Sequence, residues 1–284
     1  MATECLFQFP KSDVIECVLL NRPSSKNRSP YVADVKSDKS VHLAHVPSLS
    51  LSGKCVPGTV CLMKYIKDKK GNKIGPNCIS PKYGKEKCEL SSYLIIYKNV
   101  WIASHPKIGE VVAFNLLKPG STYTPLSQSK IIERYSEVSN VAGTDMRVDF
   151  LLTHEDNSAT MVEVKTVVDS EHDKNESENM SAIFPFGKRM QKYLGKSVVS
   201  ERAIKHISEL TKVSEKIKTD PKYPVLNACI LFVIVRGDCE YFRPHKEACP
   251  IFSDTLSVAK SKGVALIAHQ VEWTVNETEI QCLN

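Results

Sequence analysis

The stretch Arg147-Val148-Asp149-Phe150-Leu151-Leu152, followed across a polar turn at residues 154–158 by Met161-Val162-Glu163-Val164-Lys165-Thr166, decides how this chain is read. Branched and aromatic residues dominate both runs, so two neighbouring strands are expected. Side chains two apart on a strand leave the same face, which puts Glu163 and Lys165 together. On its own, Glu-x-Lys is an ordinary surface ion pair. What changes the reading is Asp149, a charge set among the apolar residues of the adjoining strand, where it is costly unless compensated. An aspartate and a glutamate on neighbouring strands repel each other unless a cation lies between them, and hard oxygen ligands with room for water suit Mg2+ or Mn2+. Such an ion can bind a scissile phosphate and acidify a water, while Lys165 orients the nucleophile or neutralises developing charge. The chemistry this points to is metal-assisted phosphodiester hydrolysis, with Asp149, Glu163 and Lys165 as catalytic residues.

Outward from this pair, helical stretches alternate with strands. A helix is expected at 107–117, strands at 147–153 and 160–168, and an acidic, polar insert at 169–178 that reads as a mobile loop. A helix at 200–217 follows, with Ser200 placed to cap it and Glu201 favoured by its dipole. Then come a strand at 226–235, apolar enough to be covered on both faces, a helix at 252–262 and a strand at 264–269. Upstream the pattern differs. Short strands at 15–20, 31–35, 40–44, 59–65 and 92–97 are broken by Pro23, Pro30, Pro47 and Pro57-Gly58, as in a small five-stranded barrel of the OB type. The expected architecture is an OB-like β-barrel over 1–100, binding nucleic acid, and a mixed-sheet α/β domain over 101–284.

Composition agrees with a folded, two-domain protein. The chain has 284 residues, 42% hydrophobic and 25% charged, which excludes disordered and fibrous classes. Residues 1–100 hold 16 of the 38 Lys+Arg and 8 of the 32 Asp+Glu, leaving 22 against 24 for the rest, so the whole excess of +6 is upstream. A basic region of this kind is the footprint of a polyanion partner or simply a solvated face. The longest apolar run, 226–235, falls short of the roughly 20 residues a membrane helix needs. Glu4 and Gln8 lie where a signal peptide needs a positive start and an apolar stretch, so an intracellular location, cytoplasmic or nuclear, is expected. The ten cysteines include no Cys-x-x-Cys pair and read as reduced thiols. His45, between Ala44 and Val46, reads as structural, and Tyr31, Tyr65 and Tyr83 could stack on bases or fill a core.

Several further motifs occur in one order: Tyr31-Val32-Ala33-Asp34-Val35, Ala44-His45-Val46-Pro47, Pro57-Gly58, Ser200-Glu201-Arg202-Ala203-Ile204-Lys205-His206, Leu231-Phe232-Val233-Ile234-Val235-Arg236, Phe242-Arg243-Pro244 and Gly263-Val264. With the Asp149 and Glu163 segments, they resemble the sugar fermentation stimulation protein family, SfsA, over nearly the whole chain. The resemblance implies an N-terminal OB-like domain, a C-terminal domain similar to the PD-(D/E)XK restriction-endonuclease-like nucleases, and non-specific DNA binding with a regulatory link to sugar metabolism. Carried over by position, Asp149 and Glu163 look like the metal ligands and Lys165 like the catalytic lysine. Arg202, Lys205 and His206 match the family's basic helix, and with Arg28 and Arg147 they form the expected nucleic-acid-binding set. This chain departs from the family at Ser48-Leu49-Ser50-Leu51 and in the added stretch 169–199. Nucleases of this kind often take a further glutamate from the first helix; Glu110 aligns loosely, Glu137 is another candidate, and neither is placed in the site. Three functions stay open: a Mg-dependent DNA phosphodiesterase, a non-catalytic DNA-binding regulator whose carboxylates hold a structural ion or none, and an RNA-processing nuclease.

Overall fold

In the computed structural model the described residues are 4–38, 40–47, 51–172, 180–187, 190–216 and 224–284. The expectations for Ser48 to Ser50, for 173–178 of the acidic insert and for Ile217 at the helix end lie outside them. The first strand, β1 (Cys5–Pro10), precedes five strands that close a barrel: β2 (Val14–Asn21), β3 (Val32–Lys36), β4 (Val41–His45), β5 (Val60–Tyr65) and β6 (Leu90–Tyr97). Antiparallel pairing runs in the order β4-β3-β2-β5-β6, and a short parallel pairing of β4 with β6, Ala44 to Leu90 and His45 to Ser91, closes the ring. This is the five-stranded Greek-key barrel expected from the proline-punctuated strands. Cys17, Leu19, Val35, Ala44, Met63 and Ile95 fill its interior. Strand β7 (Val100–Ala103) continues antiparallel along β6.

The second unit is built on a mixed sheet. After α1 (Ile108–Leu116) come β8 (Ile131–Ser139), β9 (Arg147–His154) and β10 (Ser158–Val167), antiparallel in sequence. The 169–199 stretch, where a loop was expected at its start, instead opens with β11 (Ser170–His172), antiparallel to β12 (Met180–Phe184), and a hairpin of β13 (Gln191–Tyr193) and β14 (Lys196–Val198) follows. Next are α2 (Glu201–Lys216), β15 (Val225–Ile234), β16 (Tyr241–Pro244), α3 (Pro250–Ser261) and β17 (Ala265–Gln270), then β18 (Glu272–Val275) and β19 (Glu279–Leu283). The sheet order is β17-β15-β10-β9-β8, with β10, β15 and β17 parallel. β1 pairs with β19, joining the two ends of the described chain.

The middle strand β10 is covered on both faces. Met161 and Val167 pack with Ile204, Ile207 and Leu210 of α2 and Phe252 of α3, whereas Val162 and Val164 pack with Val112 and Leu116 of α1. The second core also takes in Leu62, Leu94 and Ala103, so the barrel shares it. Backbone bonds fix that junction: the Ala103 N–H donates to the Val235 carbonyl at 3.1 Å, and the Val235 N–H to the Val167 carbonyl at 3.0 Å. Beside it, the fully buried Arg236 makes a fork with Asp238, both bonds 2.5 Å, and Lys54 of the barrel unit lies 3.9 Å from Asp169.

Helix α1 approaches β10 at Gly109. A Cβ there would stand 2.2 Å from Thr166 Oγ1 and 3.0 Å from Thr166 Cβ, and that hydroxyl is engaged, donating to the Pro106 carbonyl at 2.8 Å. Gly109→Ala should therefore destabilise the chain by about 1–3 kcal/mol through overpacking, although alanine is the better helix former. A urea titration checks this; an unchanged or raised midpoint would show that α1 does not depend on the close approach.

Candidate functional site

Asp149 stands where the β9–β10 ladder stops. The last pair is Val162 with Phe150, and one residue further on the Asp149 side chain takes over, Oδ2 accepting the Val164 N–H at 2.7 Å. Continued by one step, the same register sets Asp149 opposite Glu163. Glu163 is 3% exposed, and its Oε1 accepts two bonds of 2.5 Å, from Lys165 Nζ and from His206 Nδ1 of α2. Arg202 Nε donates to His206 Nε2 at 3.4 Å, which leaves Nδ1 as the nitrogen carrying the proton toward Glu163. The other carboxylate oxygen, Glu163 Oε2, is buried and has no hydrogen-bond partner among the described residues. A bare buried oxygen of this kind is costly and rare in folded proteins.

The two carboxylates titrate in opposite directions. Burial would raise the Glu163 pKa, but the bond from His206 and the charge of Lys165 outweigh it and hold the group below the ordinary value. Asp149 is pushed up to about 6, first by burial and then by the charge of Glu163, with Glu110 adding to the effect and the Val164 N–H and Lys165 opposing it. One ionised carboxylate thus makes ionisation of its neighbour expensive.

Glu110 in the first turn of α1 and Glu137 of β8 line a cavity of about 240 Å3 together with Asp149, Lys107, Phe114 and Phe150. Glu137 has a positive φ of 55° and stands between Ser136 and Val138, which pair with Phe150 and Val148, so it lies across from Asp149. Both glutamates, left out of the site on sequence grounds, are therefore at its mouth. The signal for Glu110 was its place in the first helix, where such nucleases often take a further glutamate; Glu137 was a candidate too, but nothing marked its strand, because β8 is mostly exposed and shows no apolar alternation.

The expected basic residues divide. His206 reaches Glu163 and Arg202 bonds the His206 ring behind it, whereas Lys205 is exposed and paired with Glu201 at 2.7 Å. All three line a larger cleft of about 600 Å3 beside Tyr193 and Leu194 of the β13–β14 hairpin. The start of α2 is fixed by Gln191, whose Oε1 accepts the Glu201 N–H at 2.8 Å. Arg147 is paired at 2.7 Å with Glu137 on the rim of the Asp149 cavity. Arg28 is exposed on the β2–β3 loop of the barrel, on a different element from the carboxylates. Among the described residues no group of three or more His, Cys, Asp or Glu is gathered as a metal cage. The ten cysteines are free thiols, and no helix among the described residues is long and apolar enough to cross a membrane.

The raised Asp149 pKa carries a stability consequence. Its folded value of about 6 lies above the ordinary 3.8, so the folded chain binds this proton more tightly than the unfolded chain. The penalty of ionising it in the fold is absent below the ordinary value and complete above the folded one. Metal-free stability should accordingly fall as pH rises through that window. Asp149→Asn should remove this component and raise metal-free stability at neutral pH by about 1–2 kcal/mol, less than the full shift because the group is partly exposed. Urea titrations of both proteins in chelator across the window test it, and parallel pH profiles would show that Asp149 ionises without strain.

Comparison with known proteins places this geometry in a family. The family model described as "Sugar fermentation stimulation protein RE domain" matches residues 117–277, the sheet that carries the carboxylates. A "Sugar fermentation stimulation protein homolog" of Microcystis aeruginosa is 29% identical over 183 residues, 64% of this chain and 64% of its own length, just under two thirds. One from Syntrophotalea carbinolica is 26% identical over 252 residues, 88% of each chain. The solved structure of Pyrococcus furiosus SfsA in complex with Ca2+ superposes with a TM-score of 0.67, covering 98% of this chain and 96% of that one; at 18% identity the likeness is one of fold. With the matched family model spanning more than half of its length, this chain belongs to the sugar fermentation stimulation protein family.

Proposed function

We propose that the protein is a nucleic-acid-binding phosphodiesterase of the PD-(D/E)XK type that uses Mg2+ or Mn2+, with DNA as its first candidate substrate. The observation that carries the reading is Glu163 Oε2, buried without a partner beside a second carboxylate whose ionisation is opposed by charge. A divalent cation relieves both costs at once. Asp149 and Glu163 would hold it, with Glu110 and Glu137 beside Asp149 in its cavity and the remaining positions left to water and phosphate, as magnesium prefers. That Pyrococcus furiosus SfsA was solved in complex with Ca2+ supports a site for a hard divalent ion.

When bound, the ion would supply Lewis-acid stabilisation of phosphate charge and a more acidic water. The chain's own residues do the rest. Lys165, 2.5 Å from Glu163, presents an ammonium where a phosphoryl oxygen gains charge. His206 fixes the Glu163 carboxylate through Oε1, which leaves Oε2 as the oxygen that would hold the ion, and Arg202 holds the His206 ring. Phe114 and Phe150 make the cavity wall apolar, strengthening each charge inside it. Exposed Lys67, Lys69, Lys70, Lys73, Lys82 and Lys85 on the β5–β6 loop concentrate the positive excess on the barrel, suited to a phosphate backbone.

Wild type, Asp149→Asn and Lys165→Ala should be incubated with labelled single- and double-stranded DNA and RNA in Mg2+, Mn2+ or chelator and resolved on denaturing gels. Metal-dependent fragments are expected from wild type, with at least about a hundredfold loss in either variant. Binding should persist in Asp149→Asn and weaken steeply with salt. Intact substrates throughout, with salt-sensitive binding, would leave the non-catalytic regulator as the better reading; fragments from RNA alone would make it an RNA-processing enzyme.

A further inference from the structure

The barrel and the carboxylate cavity meet at a seam that neither site accounts for. On one edge of β6, β4 pairs at Leu90 and Ser91, and β7 then takes over from Leu94 onward. His45 is the β4 residue opposite Ser91. The chain leaving β7 stays on β6, the Ser104 N–H donating to the Tyr93 carbonyl at 2.9 Å, and the next residue is His105. The two histidines thus arrive side by side from strands 60 residues apart in sequence, both half-buried. Burial first, and then the charges of His45 and Lys107, hold the His105 pKa below its ordinary value.

His45 also faces a cavity, and His105 is bonded to a residue that lines the other. His45 lines a cleft of about 600 Å3 between the β2–β3 and β5–β6 loops, with Tyr83, Lys85, Lys87, Ile66 and Ile74. His105 accepts the Lys107 N–H on Nδ1 at 3.3 Å, so the neutral ring presents Nε2–H as a donor. Lys107 itself lines the Asp149 cavity. Lys107, bonded to His105, thus links the seam to the Asp149 cavity.

We propose that the barrel cleft and the carboxylate cavity form one track for single-stranded nucleic acid, joined across His45 and His105. This rests on the nucleic-acid reading above and names its substrate class. Lysines and histidine donors match a phosphate backbone, while the Tyr83 ring, 68% exposed, and the apolar Ile66 and Ile74 offer faces to unstacked bases. A duplex keeps its bases stacked inside and cannot use those faces. The barrel end holds the strand, the seam guides it, and the phosphate reaching Asp149 is the one presented for cleavage.

The test is fluorescence anisotropy with full-length protein in chelator, using labelled oligodeoxynucleotides and oligoribonucleotides of stepped length and duplexes of the same lengths. Single-strand affinity should climb with length and level off once one strand spans both cavities, with the duplex at least about tenfold weaker. The His45→Ala/His105→Ala protein should lose about tenfold on long strands and little on short ones. Wild-type protein photocrosslinked to a long thiothymidine-substituted strand should be labelled both near Tyr83 and at residues 104–107, a readout independent of how the variant folds. Affinity that ignores length, equal binding of duplex, or crosslinks confined to the barrel would overturn the track. Cleavage without length-dependent binding sinks the track and spares the phosphodiesterase; length-dependent, histidine-sensitive binding without cleavage does the reverse.

Discussion

A carboxylate buried in the middle strand of a doubly covered sheet is the constraint around which the second unit is organised. Strand β10 has β9 on one edge, β15 on the other, α1 over one face and α2 and α3 over the other. Placing Glu163 there costs several kcal/mol unless the charge is met. Lys165 and His206 meet it, but both bond the same oxygen. A cluster that served only to neutralise the charge would share its donors between the two oxygens, since each can accept. The bare Oε2 and the raised pKa of Asp149 are the two features that the metal reading proposed above explains and a structural ion pair does not.

The same constraint explains why the rest of the chain is arranged as it is. Helix α2 must lie across β10 so that His206 can reach Glu163, and its amphipathic pattern provides this: Ile204, Ile207 and Leu210 go down onto the sheet while Arg202 and Lys205 stay at the surface. Helix α1 must lie close on the opposite face so that Glu110 reaches the mouth, and Gly109 permits the approach. The barrel is not a loosely tethered module, because its β6–β7 side contributes Leu94 and Ala103 to the core beneath α1 and β7 bonds to the end of β15.

Much of this was legible in the amino-acid order. The barrel strands announced themselves through alternation and proline punctuation, and β9 and β10 through branched residues around a polar turn; each came within one or two residues of its expected ends, as local rules allow. Strand β8 was not legible, because an edge strand facing solvent has polar residues on both sides and no apolar period. Nor was the start of the acidic insert as strand β11, whose three residues pair with β12 and carry no propensity of their own. Strand β1 was missed for a different reason: its partner β19 lies at the other end of the chain.

By itself, the sequence determined which elements form and that Asp149, Glu163 and Lys165 share one end of one strand pair, because strand periodicity and a short turn are local properties. Tertiary structure alone decided the rest. It brought His206 onto Glu163, Glu110 and Glu137 to the mouth of the Asp149 cavity, and His45 beside His105. The physical reason is common to all three: each juxtaposition depends on how strands and helices distant in the chain pack once their apolar faces are buried, and no spacing in the sequence encodes that packing.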